Sequence, residues 1–206
     1  MKNYLKNPNL LFLFITLLGC SQPDSPLVVL PVASAPCVTT NTAFQQLYNP
    51  LNTTAFPESQ AGYASYITHE YTFNSATAAT ICSVGYQSQP TLETLNYQIE
   101  IFDTVSNAVV SSLTATFSAT ATSYRALSTP LLLAANRSYK IRRISPATSA
   151  SPNGAGRCVS NTISGSGNVS FPKTSGNLTI TGSNFYSNTV NGGANSGLAY
   201  IDIVFE

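Results

Sequence analysis

The chain has 206 residues, with nine Lys or Arg, eight Asp or Glu, and a formal net charge of +1. Charged residues make up 8% of the sequence, against the roughly 25% that is usual in soluble domains. Polarity comes instead from 50 Ser and Thr residues and 18 Asn residues. This composition argues against a coiled coil and a nucleic-acid binder. The single histidine leaves little material for a His-based metal site or a catalytic triad.

Residues 1–19 have the pattern of a secretory signal. Lys2 and Lys6 supply a positive start, and residues 10–18 form a nine-residue apolar run that is followed by Gly19 and Cys20. A membrane-spanning helix needs about 20 apolar residues. The run is therefore too short to span a membrane, and we expect the signal to be removed.

The sequence Leu17-Leu18-Gly19-Cys20 resembles the lipobox of bacterial lipoproteins. The resemblance implies cleavage before Cys20 and attachment of acyl chains such as palmitate, which would make a membrane the partner of this residue. Several acyl chains hold a protein firmly, whereas a single chain is marginal. Ser21 stands where an Asp commonly retains lipoproteins at the inner membrane. The resemblance thus implies anchoring in the outer membrane, on its periplasmic or cell-surface face.

Residues 20–53 are predicted to be the lipidated cysteine and a tether. Four prolines among residues 21–36 favour extended polyproline geometry, at about 3.1 Å per residue. An alternative is that residues 27–30, Leu-Val-Val-Leu, pack as an edge strand. A short helix is predicted at residues 41–48, where Thr42 would cap an Ala-Phe-Gln-Gln-Leu run that Asn49 and Pro50 end.

Residues 54–206 are predicted to form one all-β domain. Apolar residues recur with period two between turn residues, and no segment after the signal sustains helical spacing. Eight strands, interrupted by a Gly-, Ser- and Asn-rich stretch at residues 146–176, favour an antiparallel two-sheet sandwich of jelly-roll or immunoglobulin-like type. The strands are expected at residues 66–73, 80–88, 96–103, 108–117, 123–133, 138–144, 177–185 and 198–205.

Three sequence features of these strands together form a pattern. Gly85 and Tyr86 lie next to each other in the second strand, a Leu-Leu-Leu-Ala-Ala run precedes Tyr139, and the last strand reads Tyr-Ile-Asp-Ile-Val-Phe. This pattern resembles the sandwich modules of bacterial surface proteins known as domain of unknown function 4082. The resemblance implies a sandwich fold and a surface location, and it supplies no catalytic residues. The segments that carry it are residues 69–73, 81–86, 97–103, 124–125, 130–139 and 199–205.

Three cysteines follow Cys20, and a secreted protein can form disulfides. An odd number leaves one of Cys37, Cys82 and Cys158 outside a disulfide. Cys82 lies in a predicted strand, where a buried thiol behaves as a small apolar side chain, whereas the other two lie in irregular segments. The sequence leaves all three pairings open and slightly favours Cys37–Cys158, which would pin the tether to the long loop.

The sequence predicts no catalytic residue, metal site or cofactor. His69, next to Glu70, could act as a general base, but it alternates with apolar residues on a predicted strand and no nucleophile motif accompanies it. Glu100, Asp103 and Asp202 offer oxygen ligands for calcium, but they fall on separate strands without a ligand-rich loop. The chain is therefore not expected to be an enzyme.

The basic residues are unevenly distributed along the chain. Lys140 and Arg142 share one face of a predicted strand, and Arg143 lies on the other. This strand could contact anionic glycans or lipid headgroups, or its charges could keep an edge strand from pairing with another chain. Six of the nine basic residues belong to this region, namely Arg125, Arg137, Lys140, Arg142, Arg143 and Arg157.

These features favour a surface-anchored, non-catalytic binding or adhesion module for a glycan or a protein. Tyrosine offers a flat apolar face and a hydroxyl, so tyrosines are the main candidate contacts. The candidates are Tyr63, Tyr86, Tyr124 and Tyr186, together with Arg142. The alternative is a structural envelope lipoprotein that acts as a scaffold or spacer without a small-molecule ligand. Tyrosines clustered beside a concave surface would favour the first role, and scattered tyrosines the second.

Overall fold

The computed structural model describes residues 36–59, 67–146, 156–161, 167–186 and 193–206. The predicted signal, Cys20, most of the tether with its alternative strand at residues 27–30, and Tyr63 lie outside the described residues. The described residues belong to a single compact unit.

The helix α1, Ala43–Tyr48, begins after Thr42 and packs into the core. Thr42 Oγ1 accepts a hydrogen bond from the Gln45 backbone N–H at 3.0 Å, and the Gln45 side chain accepts one from the Thr42 N–H at 3.3 Å. This reciprocal capping satisfies two backbone N–H groups that have no partner within the helix. The predicted helix and its cap are confirmed. Because three of its side chains are buried, the helix is part of the sandwich domain rather than of the tether.

Twelve strands lie in the described part of the chain, and two short 3-10 turns, Asn49–Leu51 and Pro90–Leu92, complete its regular structure. The strands are β1 (Glu58–Ser59), β2 (Thr68–Ser75), β3 (Ala79–Tyr86), β4 (Tyr97–Asp103), β5 (Ala108–Ala115), β6 (Ser123–Leu133), β7 (Tyr139–Ile144), β8 (Cys158–Ser160), β9 (Lys173–Ser175), β10 (Leu178–Tyr186), β11 (Gly197–Ala199) and β12 (Asp202–Phe205). The six-stranded sheet has the order β5-β4-β7-β2-β10-β9, and two three-stranded sheets have the orders β12-β3-β6 and β1-β8-β11. All strand pairs are antiparallel.

The six-stranded sheet and the β12-β3-β6 sheet enclose one apolar core. Strands β2, β4 and β7 alternate buried and partly exposed residues, because neighbouring side chains on a strand point to opposite faces. Tyr71, Ile99 and Ile141 contribute to the core from the large sheet, and Ile81 and Ile203 from the smaller one. The predicted all-β antiparallel sandwich is therefore confirmed.

The predicted last strand, residues 198–205, is in fact two strands in different sheets. β11 pairs with β8, and after two intervening residues β12 pairs with β3. Every residue from Gly197 to Val204 is buried, so its apolar residues do not alternate with exposed ones. The prediction of one continuous strand is wrong, because a segment covered on both sides carries no period-two signal that assigns it to a sheet. Ile201 and Ile203 lie in the core as expected.

The disulfide joins Cys37 to Cys82, so the favoured Cys37–Cys158 pairing is wrong. Cys37 is exposed, whereas Cys158 lies in β8 with its side chain buried in the core and keeps its thiol. Burial raises the pKa of the Cys158 thiol to about 12. The disulfide pins the start of the described chain to β3, across a separation of 45 residues.

Candidate binding surface

The outward face of the six-stranded sheet is its polar side. The inward positions of β2, β4, β7 and β10 carry core residues, so the alternate positions place charged, hydroxyl and amide side chains outward. The strand register sets four of these residues side by side in one row, in the order Asn184, Glu70, Arg142 and Glu100. The row therefore brings one guanidinium between two carboxylates.

Arg142, Glu100, Glu70, Lys140 and Tyr186 form a connected group, the Arg142 cluster. Arg142 Nε and Nη2 donate to Glu100 Oε2 at 2.9 and 2.7 Å. Lys140 Nζ lies 3.3 Å from Glu70 Oε2. The Tyr186 hydroxyl donates to that same oxygen at 3.0 Å and accepts from Arg142 Nη1 at 3.3 Å. Two cations and two carboxylates cancel, so the cluster has no excess charge to attract a polyanion.

Phe102 supports both cations of the Arg142 cluster. The Arg142 guanidinium carbon lies 4.2 Å and Lys140 Nζ 5.6 Å from the centroid of its ring. Such contacts are worth about 0.5–1 kcal/mol at exposed sites. Gln98 Nε2 donates to the second carboxylate oxygen of Glu100 at 2.7 Å. Burial alone would lower the pKa of Arg142, but its hydrogen bonds to Tyr186 and Glu100 raise it, so the guanidinium stays charged.

The strand that carries these charges, β7, lies between β4 and β2 in the sheet. Both of its edges are paired, so the interpretation of its Lys and Arg side chains as protection for an edge strand is wrong. Lys140 and Arg142 share the outward face as predicted, and Arg143 is buried on the other face. The guanidinium carbon of Arg143 lies 5.5 Å from the ring centroid of Tyr86 and 5.8 Å from that of Tyr97.

The remaining basic residues of this region are dispersed over the domain. Arg137 forms an ion pair with Asp103, and Arg157 forms one with Glu58. The guanidinium carbon of Arg125, on β6, lies 5.6 Å from the ring centroid of Phe117. Among the described residues, the six basic side chains therefore do not combine into one positive surface.

Three of the four predicted tyrosine contacts are described, and they are scattered. Tyr86 is fully buried, its hydroxyl accepts a hydrogen bond from the Gly156 N–H at 2.8 Å, and burial raises its pKa. The prediction that Tyr86 contacts a ligand is therefore wrong, because the end of its strand is covered on both faces. Tyr124 belongs to a buried polar group, and Tyr186 joins Arg142 on the open face of the sheet.

That buried polar group, the Asp202 cluster, was not found from the sequence. Asp202 is fully buried and accepts hydrogen bonds from three neutral donors. The donors are Thr42 Oγ1 at 2.8 Å, Gln45 Nε2 at 3.0 Å and the Tyr124 hydroxyl at 2.8 Å. Burial raises the pKa of Asp202 to about 6, although the three hydrogen bonds act to lower it. The cluster joins the capped start of α1 to β6 and β12, and so ties together elements from both ends of the domain.

Gly85 makes room for Tyr124 in this cluster. β3 pairs with β6 so that Gly85 lies directly opposite Tyr124. A Cβ atom at residue 85 would lie 2.3 Å from Tyr124 Cε1, far inside contact distance. A glycine inside a strand pattern often marks the close approach of another group, and this was the available signal for the cluster.

His69 and Glu70 point to opposite faces of β2. His69 is buried and packs edge-on against Phe185 with 4.7 Å between ring centroids, whereas Glu70 belongs to the outward Arg142 cluster. The two side chains therefore do not form a general base held by a carboxylate. Within the described residues, no group of three or more His, Cys, Asp or Glu side chains is placed to hold a metal ion.

No protein-family model and no curated protein matches this chain. The likeness to domain of unknown function 4082 and the lipobox stay predictions from the sequence. In the part of the chain that the structure describes, no helix has the length and apolar character that crossing a membrane requires.

Proposed function

We propose that this chain is a lipid-anchored envelope protein whose sandwich domain acts as a structural scaffold or spacer without a small-molecule ligand. The scatter of the tyrosines carries this proposal. Tyr86 lies in the core, and Tyr124 donates to a buried carboxylate. Tyr186 is held between Glu70 and Arg142. These side chains stabilise the fold and its surface, and they do not gather around a common hollow.

The arrangement of reactive groups supports a non-catalytic role. An enzyme gathers acids, bases or nucleophiles at one accessible site. Here His69 is packed against Phe185, the Asp202 carboxylate is enclosed by three donors, and Cys158 is buried with a raised thiol pKa. Each of these groups is committed to the interior of the domain.

Anchoring is proposed from the sequence, where an apolar run ends in Leu17-Leu18-Gly19-Cys20. Acyl chains on Cys20 would hold the chain at the outer membrane, and the proline-containing tether would set the distance of the domain from it. Cys20→Ala should move the protein from the membrane fraction to the soluble fraction of fractionated cells. If the variant stays wholly in the membrane fraction, the lipid anchor is wrong.

A structural role requires the anchored domain but not its open sheet face. Cells that lack the chain should take up a dye that the intact outer membrane excludes, and expression of the full chain should restore exclusion. Cys20→Ala should fail to restore it, whereas Arg142→Ala should succeed. Full restoration by the unanchored variant, or unchanged uptake in cells without the chain, would contradict the scaffold role.

The binding or adhesion role is the second candidate, and the outward face of the six-stranded sheet favours it. There Arg142 and Tyr186, two of the predicted contacts, lie together beside Phe102. Hydroxyl and amide side chains surround them on neighbouring strands and could hydrogen-bond a glycan or a polar protein surface.

A glycan array probed with the full chain separates the two roles. Binding through this face should be saturable and should fall at least tenfold in Arg142→Ala. Arg137→Ala is the matched control, because it removes an arginine that pairs with Asp103 outside the Arg142 cluster. Saturable binding that follows this pattern would replace the scaffold role with the binding role. If neither the wild-type chain nor Arg137→Ala binds any glycan on the array, the scaffold role stands.

A further inference from the structure

Strand β5 forms one edge of the six-stranded sheet, and no strand among the described residues is hydrogen-bonded to its outer side. Its sequence, Ala-Val-Val-Ser-Ser-Leu-Thr-Ala, contains neither a charged residue nor a proline. An exposed edge strand presents a row of N–H and C=O groups that can pair with another chain, and proteins usually protect such edges with charges, prolines or shortening.

Two other edges of the main sheets, β9 and β6, carry such protection. β9, at the opposite edge of the large sheet, has three residues and contains Lys173 directly after Pro172. β6, at one edge of the small sheet, contains Arg125 and Pro130. The protection of β5 is limited to a bulge at Val110, where the register with β4 shifts. The bulge leaves residues 111–115 as a regular run.

Exposed apolar side chains are concentrated beside this edge. Val109 is 47% and Val110 39% exposed on β5, and Val105 is 72% exposed in the turn before it. Leu132, 71% exposed, lines with Val110 a groove of about 500 Å³ between the edges of the two sheets. A partner strand paired along residues 111–115 would end beside Val110 and Val109 and shield part of their surface from water.

We propose that β5 pairs antiparallel with β5 of a second copy of this chain, about a two-fold axis perpendicular to the sheet. Such an axis keeps the two faces of the sheet, so a residue meets one from the same face. Centred on Leu113, the axis pairs the whole run of residues 111–115. Leu113 then lies opposite Leu113 of the second copy, and Ser112 lies opposite Thr114, a pair of hydroxyl residues suited to cross-strand contact.

The charges next to this edge are compatible with a second copy in this register. Ser112 lies beside Glu100, and Thr114 lies beside Gln98, on β4. The Glu100 row of one copy therefore continues into the neutral Gln98 row of the other, and the two Glu100 carboxylates fall in different rows. No like charges face each other along the edge, and the two six-stranded sheets join into one continuous sheet. This pairing is compatible with either role proposed above and depends on neither.

Cysteine cross-linking of the purified full chain tests the pairing. In the proposed register two Leu113→Cys side chains face each other, with Cβ atoms about 4.5–5.5 Å apart. Mild oxidation should convert most of this variant to a disulfide dimer on a non-reducing gel. Val109→Cys is the matched control, because its two copies would lie roughly 27 Å apart at about 3.4 Å per residue. The fraction of Val109→Cys that forms a disulfide dimer should be at least tenfold smaller than that of Leu113→Cys.

A second variant covers the case in which a change at Leu113 disturbs folding. The double variant Ser112→Lys with Thr114→Lys places charges on the exposed edge. It should be a monomer in analytical ultracentrifugation at concentrations where the wild type is a dimer. Thr174→Lys, on the opposite edge strand β9, should leave the dimer intact. A wild-type chain that is monomeric at every concentration would overturn the proposal. Equal cross-linking at residues 109 and 113 would overturn it as well.

Discussion

The Asp202 cluster and the Arg142 cluster both surround carboxylates with hydrogen-bond donors, the first in the interior of the domain and the second on the outward face of the six-stranded sheet. Each directs a tyrosine hydroxyl to a carboxylate, Tyr124 to Asp202 at 2.8 Å and Tyr186 to Glu70 at 3.0 Å. Inside the domain, the carboxylate is held by neutral donors alone. On the sheet face, the carboxylates are held mainly by Lys140 and Arg142.

The difference shows how burial separates a structural group from one that is open to a partner. A carboxylate in the interior must satisfy its oxygens within the protein, and here it does so with Thr42 before α1, Gln45 in α1 and Tyr124 in β6. The bond from Thr42 to Asp202 spans 160 residues of sequence, so it holds the domain closed. Surface ion pairs contribute about 0–1 kcal/mol each. The Arg142 cluster therefore adds little stability and remains available for contact.

The largest expected effect comes from removing the buried carboxylate. Asp202→Ala removes the acceptor of the Thr42 and Tyr124 hydroxyls, and each unsatisfied buried group costs about 1–3 kcal/mol. At pH 5 we expect the free energy of unfolding to fall by about 4 kcal/mol in urea titrations. Glu100→Ala, the matched change on the sheet face, should lower it by less than about 1 kcal/mol. Equal losses for the two variants would erase the distinction between the clusters.

Titration of Asp202 should give the next largest effect. Its pKa is raised from 3.8 to about 6, so the folded state holds the proton more tightly than the unfolded state does. This contribution to stability is fully present below about pH 3.8 and is lost as the pH rises through about 6. The loss amounts to about 3 kcal/mol. The neighbouring hydroxyls of Tyr124 and Tyr200 stay neutral over this range, because burial raises the pKa of both.

Asp202→Asn isolates this effect, because the amide keeps the shape of the side chain but does not titrate. The difference in unfolding free energy between wild type and variant should change by about 2.4 kcal/mol between pH 4 and pH 7. A pH-independent difference would show that Asp202 is not the responsible group. Asp103 should act in the opposite direction, since its hydrogen bond to Arg137 lowers its pKa to about 2 and its contribution is lost as the pH falls toward that value.

Removing one hydroxyl from each cluster gives a smaller and more closely matched comparison. Tyr124→Phe deletes a donor to a buried charged group and should cost about 2 kcal/mol. Tyr186→Phe deletes a bond on the partly exposed face and should cost about 0.5 kcal/mol. Thermal unfolding of both variants in one buffer measures the two losses, and a larger loss for Tyr186→Phe would reverse the assignment of interior and surface roles.

Salt should have the smallest effect and should act on one cluster alone. Raising the ionic strength from 0.1 to 1 M shortens the screening length from about 10 to about 3 Å. The modest stability lost in Glu100→Gln should therefore shrink further at high salt, while the loss in Tyr124→Phe should stay constant. Unfolding titrations at both ionic strengths check this. A salt-dependent loss for Tyr124→Phe would indicate that its site is open to solvent.

The sequence predicted the elements that carry local signals. Thr42 caps the helix that follows it, as predicted, and β6 has the predicted bounds. Both predictions rest on local properties of the sequence, a capping residue in one case and period-two alternation between turn residues in the other. The same periodicity placed Arg143 and Lys140 on opposite faces of β7. It could not show that β7 is central, because the order of strands depends on pairings between distant segments.

The errors concern contacts between segments that are far apart in sequence. Tyr86 looked accessible because one strand does not reveal that its second face is covered. The sequence left the Cys37–Cys82 pairing open without favouring it, because no local pattern places the segment before α1 over β3. Asp202 was considered only as an oxygen ligand for calcium, whereas both faces of its strand are buried and its carboxylate accepts hydrogen bonds from Thr42, Gln45 and Tyr124.

The two ends of the described domain lie side by side. Val38 and Ala43, which flank the start of α1, line the same groove as Phe205 and Glu206. A short linker from residue 206 to residue 36 would therefore join them without crossing the core, and the β4–β5 turn would serve as a site for new termini. The domain is thus a candidate for circular permutation, and a reporter fused after Glu206 would lie next to Val38 and the start of α1.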